Sequence, residues 1–157
     1  MRKEILSFTD EKPNGRLIHD LEEAAMHVNG FAPGQDSFFV FVMRRDMIRE
    51  LEALADEDGA SLNGQLLVCA FSDPLVKTAR QKALFSLHAM CAEAERQGWA
   101  SAPAAFAAKV FQNPSFHELS AACGVPQNCM CAGAVIIGRE KDSSEYQAQY
   151  NVFSYIQ

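Results

Sequence analysis

DPLVKTARQKALFSLHAMCAEAERQG, residues 73–98, decides how the rest of this sequence is read. Asp73 is a good helix N-cap, because its carboxylate can accept the free N–H groups of a first turn, and Pro74 suits the first helical position. Val76, Ala79, Ala83, Leu87, Met90, Cys91 and Ala94 then recur at helical spacing, as one buried face requires. Gly98 can take the left-handed conformation that closes a helix. The spacing predicts a helix of about six turns at 3.6 residues each, the central helix of its domain. Cys91 lies in the apolar stripe and reads as a packed thiol.

Elements of both kinds surround it. Upstream, Pro13, Asn14 and Gly15 give a turn signal. Leu17, Ile18, Leu21, Ala24, Ala25 and Val28 then predict a helix that Gly30 can close. SFFVFVM, residues 37–43, is apolar, aromatic and β-branched, and reads as a strand buried on both faces. Asp46 can cap a second helix carrying Ile48, Leu51, Leu54 and Ala55, and QLLVCAF, residues 65–71, is a second buried strand. Downstream, Pro103 to Phe111 is Ala-rich and helical by composition. Asn113 and Pro114 start a short helix with Phe116, Leu119 and Ala122 on its inner face, capped by Gly124. MCAGAVIIG, residues 130–138, is a third strand, and the alternation from Tyr146 to Ile156 predicts a terminal strand with one face buried. The predicted class is α+β, with helices packed on a small mixed or antiparallel sheet.

Composition sets the outer bounds. At 157 residues the chain has the length of a single domain, 1–157, with a real core. Apolar residues make up 48% and charged residues 22%, as in ordinary globular proteins. The net charge of -6 argues against a nucleic-acid partner, whose phosphates need clustered Lys and Arg. No apolar run approaches the ~20 residues that span a bilayer, so no membrane partner is expected. MRKEILSFTDEKP, residues 1–13, turns polar too soon for a signal peptide. The expectation is a cytoplasmic protein whose five cysteines are reduced thiols.

The thiols invite a closer look. CGVPQNCMC, residues 123–131, together with His117 offers four ligands of the types zinc takes. Their H-x5-C-x5-C-x-C order lacks the paired C-x2-4-C knuckles of common structural sites. A redox reading meets the helix dipole at Cys123, which disfavours a thiolate at a helix C-terminus. Small buried residues beside a helix-end thiol are the third and favoured reading. No nucleophile elbow, P-loop or dinucleotide-binding glycine motif is present. Glu22, Glu23, Glu50, Glu52, Asp56, Glu57 and Asp58 read as solvated faces rather than acid–base pairs.

Two stretches carry a resemblance. Arg2-Lys3-Glu4-Ile5-Leu6-Ser7-Phe8, then Pro13, a helix and Ala32-Pro33, is similar to the opening of the nitroreductase-fold flavoproteins. That opening has two basic residues, a Ser, an apolar residue, a third basic residue and, two on, an aromatic. The stretch from Ala83 to Gly138 resembles the family's central helix and the segments C-terminal to it. Gly98-Trp99-Ala100-Ser101 stands where the family has Gly-Leu-Gly-Ser, and Gly124-Val125-Pro126 precedes an apolar strand ending in Gly138.

The resemblance implies a homodimer with two FMN molecules at its interface and C-terminal segments exchanged between subunits. It implies electron transfer from NAD(P)H to nitroaromatics, quinones or similar acceptors. Arg2 and Lys3 would contact the FMN phosphate and ribityl chain, with Arg139 and Lys141 as stand-ins for further phosphate-binding basic residues. Ser101, Ala102, Pro103 and Ala104 would run past the flavin edge with backbone N–H groups facing the ring. Gln35 and Ser37 would be the polar contacts of the loop after Ala32-Pro33. The chain departs from the pattern at Glu4, where the family has Ser, at Leu6, where it has a basic residue, and in the short 34–37 loop. Those departures motivate an alternative, a non-enzymatic protein of the same fold that binds another small molecule or a protein partner.

Overall fold

In the computed structural model, which describes residues 7–28 and 37–141, the central helix begins at Ala79 rather than at Pro74. Asp73 spends its carboxylate differently from a cap. One oxygen accepts from Leu75 N–H at 2.9 Å and the other from the Asn128 amide at 3.1 Å. This side-chain turn competes with helix initiation, and it leaves Leu75 and Val76 exposed. The helix α3 then runs Ala79–Arg96, burying Ala79, Ala83, Ser86, Leu87, Met90 and Ala94, with Cys91 half-buried. It ends in paired bonds, Gly98 N–H to Glu95 O and Trp99 N–H to Ala94 O, with Gly98 at φ +85°. That geometry satisfies two orphan carbonyls and places a hydrophobic residue directly after the cap.

Among the described residues the sheet has four strands in the order β1-β2-β4-β3, and each neighbouring pair is antiparallel. β1 is Ser37–Val42, β2 is Leu66–Ser72, β3 is Ala100–Pro103 and β4 is Met130–Gly138. β2 is buried along its whole length, as its apolar run predicts. Its alternate residues serve two layers. Leu66, Val68 and Ala70 face α1 (Gly15–His27) and α3, while Leu67, Cys69 and Phe71 join a core with residues of α2 (Arg45–Leu54) and α4 (Ala105–Phe111). β1 corrects its expectation. Among the described residues it lies at a sheet edge, and its four middle residues are only half-buried. An apolar aromatic run does not by itself distinguish a central strand from an edge strand under partial cover.

Other boundaries follow local chemistry. Asn14 caps α1, its Oδ1 accepting from Leu17 N–H at 2.9 Å. The helix closes at Val28, and Gly30 lies outside the described residues. Asp46 is not the cap of α2 but sits in its first turn, bonded to Arg44 at 2.6 Å. Asn113 opens the 3-10 turn Pro114–Phe116, which leads into α5, His117–Ala122. Phe116 and Leu119 turn inward, whereas Ala122 is exposed. Gly124 at φ +83° caps α5, with Val125 N–H bonded to Ser120 O at 3.1 Å.

Pro103 begins no helix. It ends β3, which pairs with β4 in register with Ala104 N–H donating to Ala134 O at 2.9 Å. The alternation of antiparallel bonds then turns Ala100 and Ala102 toward β4, and Ser101 and Pro103 toward the outer edge. A proline is tolerated at such an outward position because no ladder bond is lost. The predicted terminal strand, Tyr146 to Ile156, lies outside the described residues.

Candidate functional site

The end of β4 and the end of α3 meet at one corner of the sheet. Arg139 follows β4 and reaches back over the helix end. Its guanidinium stacks on Trp99, with Cζ 4.2 Å from the ring centroid, and its Nη1 donates to Gln97 O at 3.3 Å. Its Nε donates to Glu11 Oε2 at 3.2 Å. The segment from Ser7 to Thr9 runs beside Arg139–Lys141. Thr9 N–H donates to Arg139 O at 2.7 Å and Lys141 N–H to Ser7 O at 3.2 Å, with a bridge between Phe8 and Glu140. The chain that leads back to Arg2 and Lys3 therefore leaves from the side of Arg139 and Lys141. Arg2, Lys3 and Gln35 themselves lie outside the described residues.

Ser101 stands on β3 opposite Ile137, two residues before Arg139, so Ser101 and Arg139 share this corner. The expected row of backbone donors from Ser101 to Ala104 is corrected. Pro103 has no N–H, Ala102 is turned toward β4, and Ala104 N–H is spent on Ala134. Of these four residues, Ser101 alone turns its N–H away from β4, and the residue itself is buried.

Ser37 is elsewhere. It pairs with Ser72, which pairs with Met130, at the other end of the sheet. Arg139, which follows β4, is two strand spacings away, roughly 10 Å across, and nine residues along, about 30 Å. Ser37 is buried and borders a cavity of about 310 Å3 that Met26, Phe39, Phe41 and Met90 also line. One chain does not bring Ser37 and Arg139 to one pocket.

The thiols form no ligand set. Among the described residues, no group of three or more His, Cys, Asp or Glu side chains is arranged to hold a metal ion. Cys123 and Cys129 are half-buried and pack, with buried Cys69 and Cys131, against one core. Burial pushes the Cys69 thiol well up and the Cys131 thiol up to about 11, and it raises Cys123 as well. These groups stay protonated at neutral pH and are poor nucleophiles. In native protein at pH 8, a disulfide reagent such as dithionitrobenzoate is expected to leave Cys69 and Cys131 unmodified and to reach them after denaturation. The native state holds these protons more tightly than the unfolded chain does. Their contribution to stability is therefore whole below the ordinary thiol range and is lost as pH rises from about 8.5 toward 11. A urea midpoint that stays flat from pH 8 to 11 would contradict it.

Trp99, Glu11 and Gln97 are the participants that sequence patterning misses. The signal for Trp99 was the Gly98-Trp99 pair, which places a large apolar residue directly after a helix cap. Nothing in the sequence marks Glu11, which meets Arg139 across 128 residues.

Comparison with known structures bears on the whole architecture. The chain superposes on a nitroreductase with bound FMN from Bacteroides fragilis at a TM-score of 0.78, with 14% identity over 99% of this chain and 88% of the other. A nitroreductase with bound FMN from Desulfitobacterium hafniense gives 0.74, at 16% identity over 99% and 94%. The hypothetical oxidoreductase YcnD of Bacillus subtilis gives 0.71, at 19% identity over 99% and 72%. No protein-family model matches the sequence, and comparison with curated proteins gives no match. At these identities the likeness establishes the fold: this chain has the nitroreductase fold, of class α+β. No described helix is long and apolar enough to cross a membrane.

Proposed function

We propose that this chain is an FMN-dependent NAD(P)H oxidoreductase of the nitroreductase type, a single-domain subunit of a cytoplasmic homodimer that reduces nitroaromatics, quinones or similar acceptors. The observation that carries the reading is the corner where Arg139, Lys141 and the outward N–H of Ser101 meet in a chain of this fold. FMN, when bound, supplies the electron transfer between NAD(P)H and the acceptor. The protein's part is to bind and orient it. Arg139, with Lys141 and the Arg2 and Lys3 that the resemblance assigns to the same role, offers cations for a phosphate dianion through charge-assisted hydrogen bonds. Ser101 offers one backbone donor to the ring. The residues at this corner suit such a group in charge and in donor type.

Ser37 would enter only from a second copy, because it stands at the opposite end of the sheet from Arg139. This separation supports the dimer. A monomer by light scattering would remove Ser37 from the site.

Purified protein is expected to show flavin absorption bands, and added FMN should raise the melting temperature. Ligand at a hundredfold excess over Kd stabilises by about 2.7 kcal/mol, and a domain of this size gains about 2–4 °C per kcal/mol. Protein without flavin bands and without a shift on FMN addition would refute the reading.

One observation favours the alternative of a fold kept without flavin chemistry. Arg139 is already engaged by Glu11, and three of the four residues from Ser101 to Ala104 have no outward N–H. NAD(P)H-dependent quinone reduction at enzyme-like rates would exclude it.

A further inference from the structure

The guanidinium of Arg139 already holds an anion. Glu11 Oε2 accepts from Nε at 3.2 Å, and the carboxylate side chain is about half exposed, at 55%, against 33% for Arg139. Among the described residues, Trp99 and the Gln97 carbonyl hold this guanidinium in position and carry no charge. Trp99 lies beneath it with 6% exposure, and the Gln97 carbonyl takes one Nη1 hydrogen. Gly98 makes room for that reach, since a Cβ there would come within 2.8 Å of Nη1. The arrangement therefore has a fixed part, Trp99, Gly98 and the Gln97 carbonyl, and an exchangeable part, Glu11.

We infer that Glu11 is a built-in competitor for the phosphate of the cofactor, and that Trp99 is the platform that keeps the Arg139 guanidinium in place while the two anions exchange. This rests on the flavin reading above. A phosphate monoester carries about -1.5 to -2 charges and three acceptor oxygens at neutral pH. A carboxylate carries one charge and two oxygens, so phosphate displaces it from an exposed guanidinium. The competition has a direction that distinguishes ligands. It weakens binding of a phosphorylated flavin and leaves an unphosphorylated one unaffected. An exposed pair limits the effect to about two- to fivefold in Kd, largest at low ionic strength.

The test is titration of FMN and of riboflavin, followed by flavin fluorescence, on wild type, E11Q, R139M and W99F. E11Q is expected to bind FMN two- to fivefold more tightly than wild type at low salt, with riboflavin unchanged and the gain shrinking as salt rises. W99F, which keeps an aromatic ring but weakens the cation–π contact, is expected to lose about two- to fivefold for FMN and nothing for riboflavin. Because Trp99 is buried, a general folding defect would weaken both ligands and so overturn the platform role. R139M is expected to weaken FMN and leave riboflavin unchanged, narrowing the gap between them without closing it, because Lys141 and the N-terminal basic residues still offer charge. FMN binding to R139M as tight as to wild type would overturn the inference. If wild type binds FMN and E11Q binds it no better, the competitor role is wrong and the flavin reading stands. An equal change for FMN and riboflavin in E11Q also overturns it. If neither wild type nor E11Q binds either flavin, both the inference and the reading beneath it fall.

Discussion

Phe71→Ala is expected to lower the unfolding free energy by about 3–5 kcal/mol, a large share of the roughly 5–15 kcal/mol that holds a domain of this kind together. Phe71 is 1% exposed on β2, which lies between β1 and β4. Its ring meets Phe111 of α4 edge-on, with centroids 5.4 Å apart and planes at 79°, the arrangement that the aromatic quadrupole favours. Truncation loses that contact and the buried area. It also enlarges a space already present, because Phe71, Phe111 and Val125 border a cavity of about 230 Å3 beside His117. The site cannot collapse easily, since β2 is paired on both sides. The cost of truncation grows with the volume left unfilled, and so with how little the site can relax. Phe71→Leu fills most of the volume and should cost under about 1.5 kcal/mol. The urea midpoints of the two variants measure this. Equal midpoints would mean that Phe71 is not packed on α4.

How much of the fold is legible in the sequence depends on which physical force decides each element. β2, β4 and α1 are set by burial on a fixed period, and their apolar patterns locate them within a residue or so. The start of α3 is not legible, because Asp-Pro serves equally as a cap and as a side-chain turn. The choice falls to Asn128, 55 residues away, which holds Asp73 in the turn. β3 escapes patterning because it has four residues and ends in proline, and only its place at the sheet edge makes that proline acceptable. At the candidate site the resemblance supplies Arg139 and Ser101 by order along the chain. What those residues do in the fold is decided by partners distant in sequence. Glu11 takes the guanidinium and Ala134 takes an N–H that the resemblance assigns to the flavin edge. Local pattern finds elements and leaves the pairing of polar groups between them open.

Gly138 joins the fold to the site, and Gly138→Ala is the second substitution expected to have a large effect. A Cβ at this position would lie 2.5 Å from Phe8 Cγ, 2.7 Å from Phe8 Cβ and 2.8 Å from its Cδ1. Rotating the Phe8 ring does not relieve this, because Cβ is fixed to the backbone. The backbone is itself held, by Phe8 N–H to Leu62 O at 2.8 Å, Thr9 N–H to Arg139 O at 2.7 Å and Lys141 N–H to Ser7 O at 3.2 Å. Phe8 is 1% exposed, so it has no outward path. Either the Ser7–Thr9 segment lifts off β4 or the end of β4 bends away. Overpacking of this kind costs about 1–3 kcal/mol, or several degrees in melting temperature. The consequence for the site is separable from stability. Both routes move Arg139 or the chain that leads to Arg2 and Lys3, so FMN should bind more weakly to Gly138→Ala well below its melting temperature, and riboflavin should suffer less. Phe8→Leu is the informative partner. It shortens the ring but keeps the Cβ, so the double variant should remain strained, with no more than partial recovery of melting temperature. Full recovery would show that the ring alone, and not the close approach of the two backbones, is what requires glycine at the end of β4.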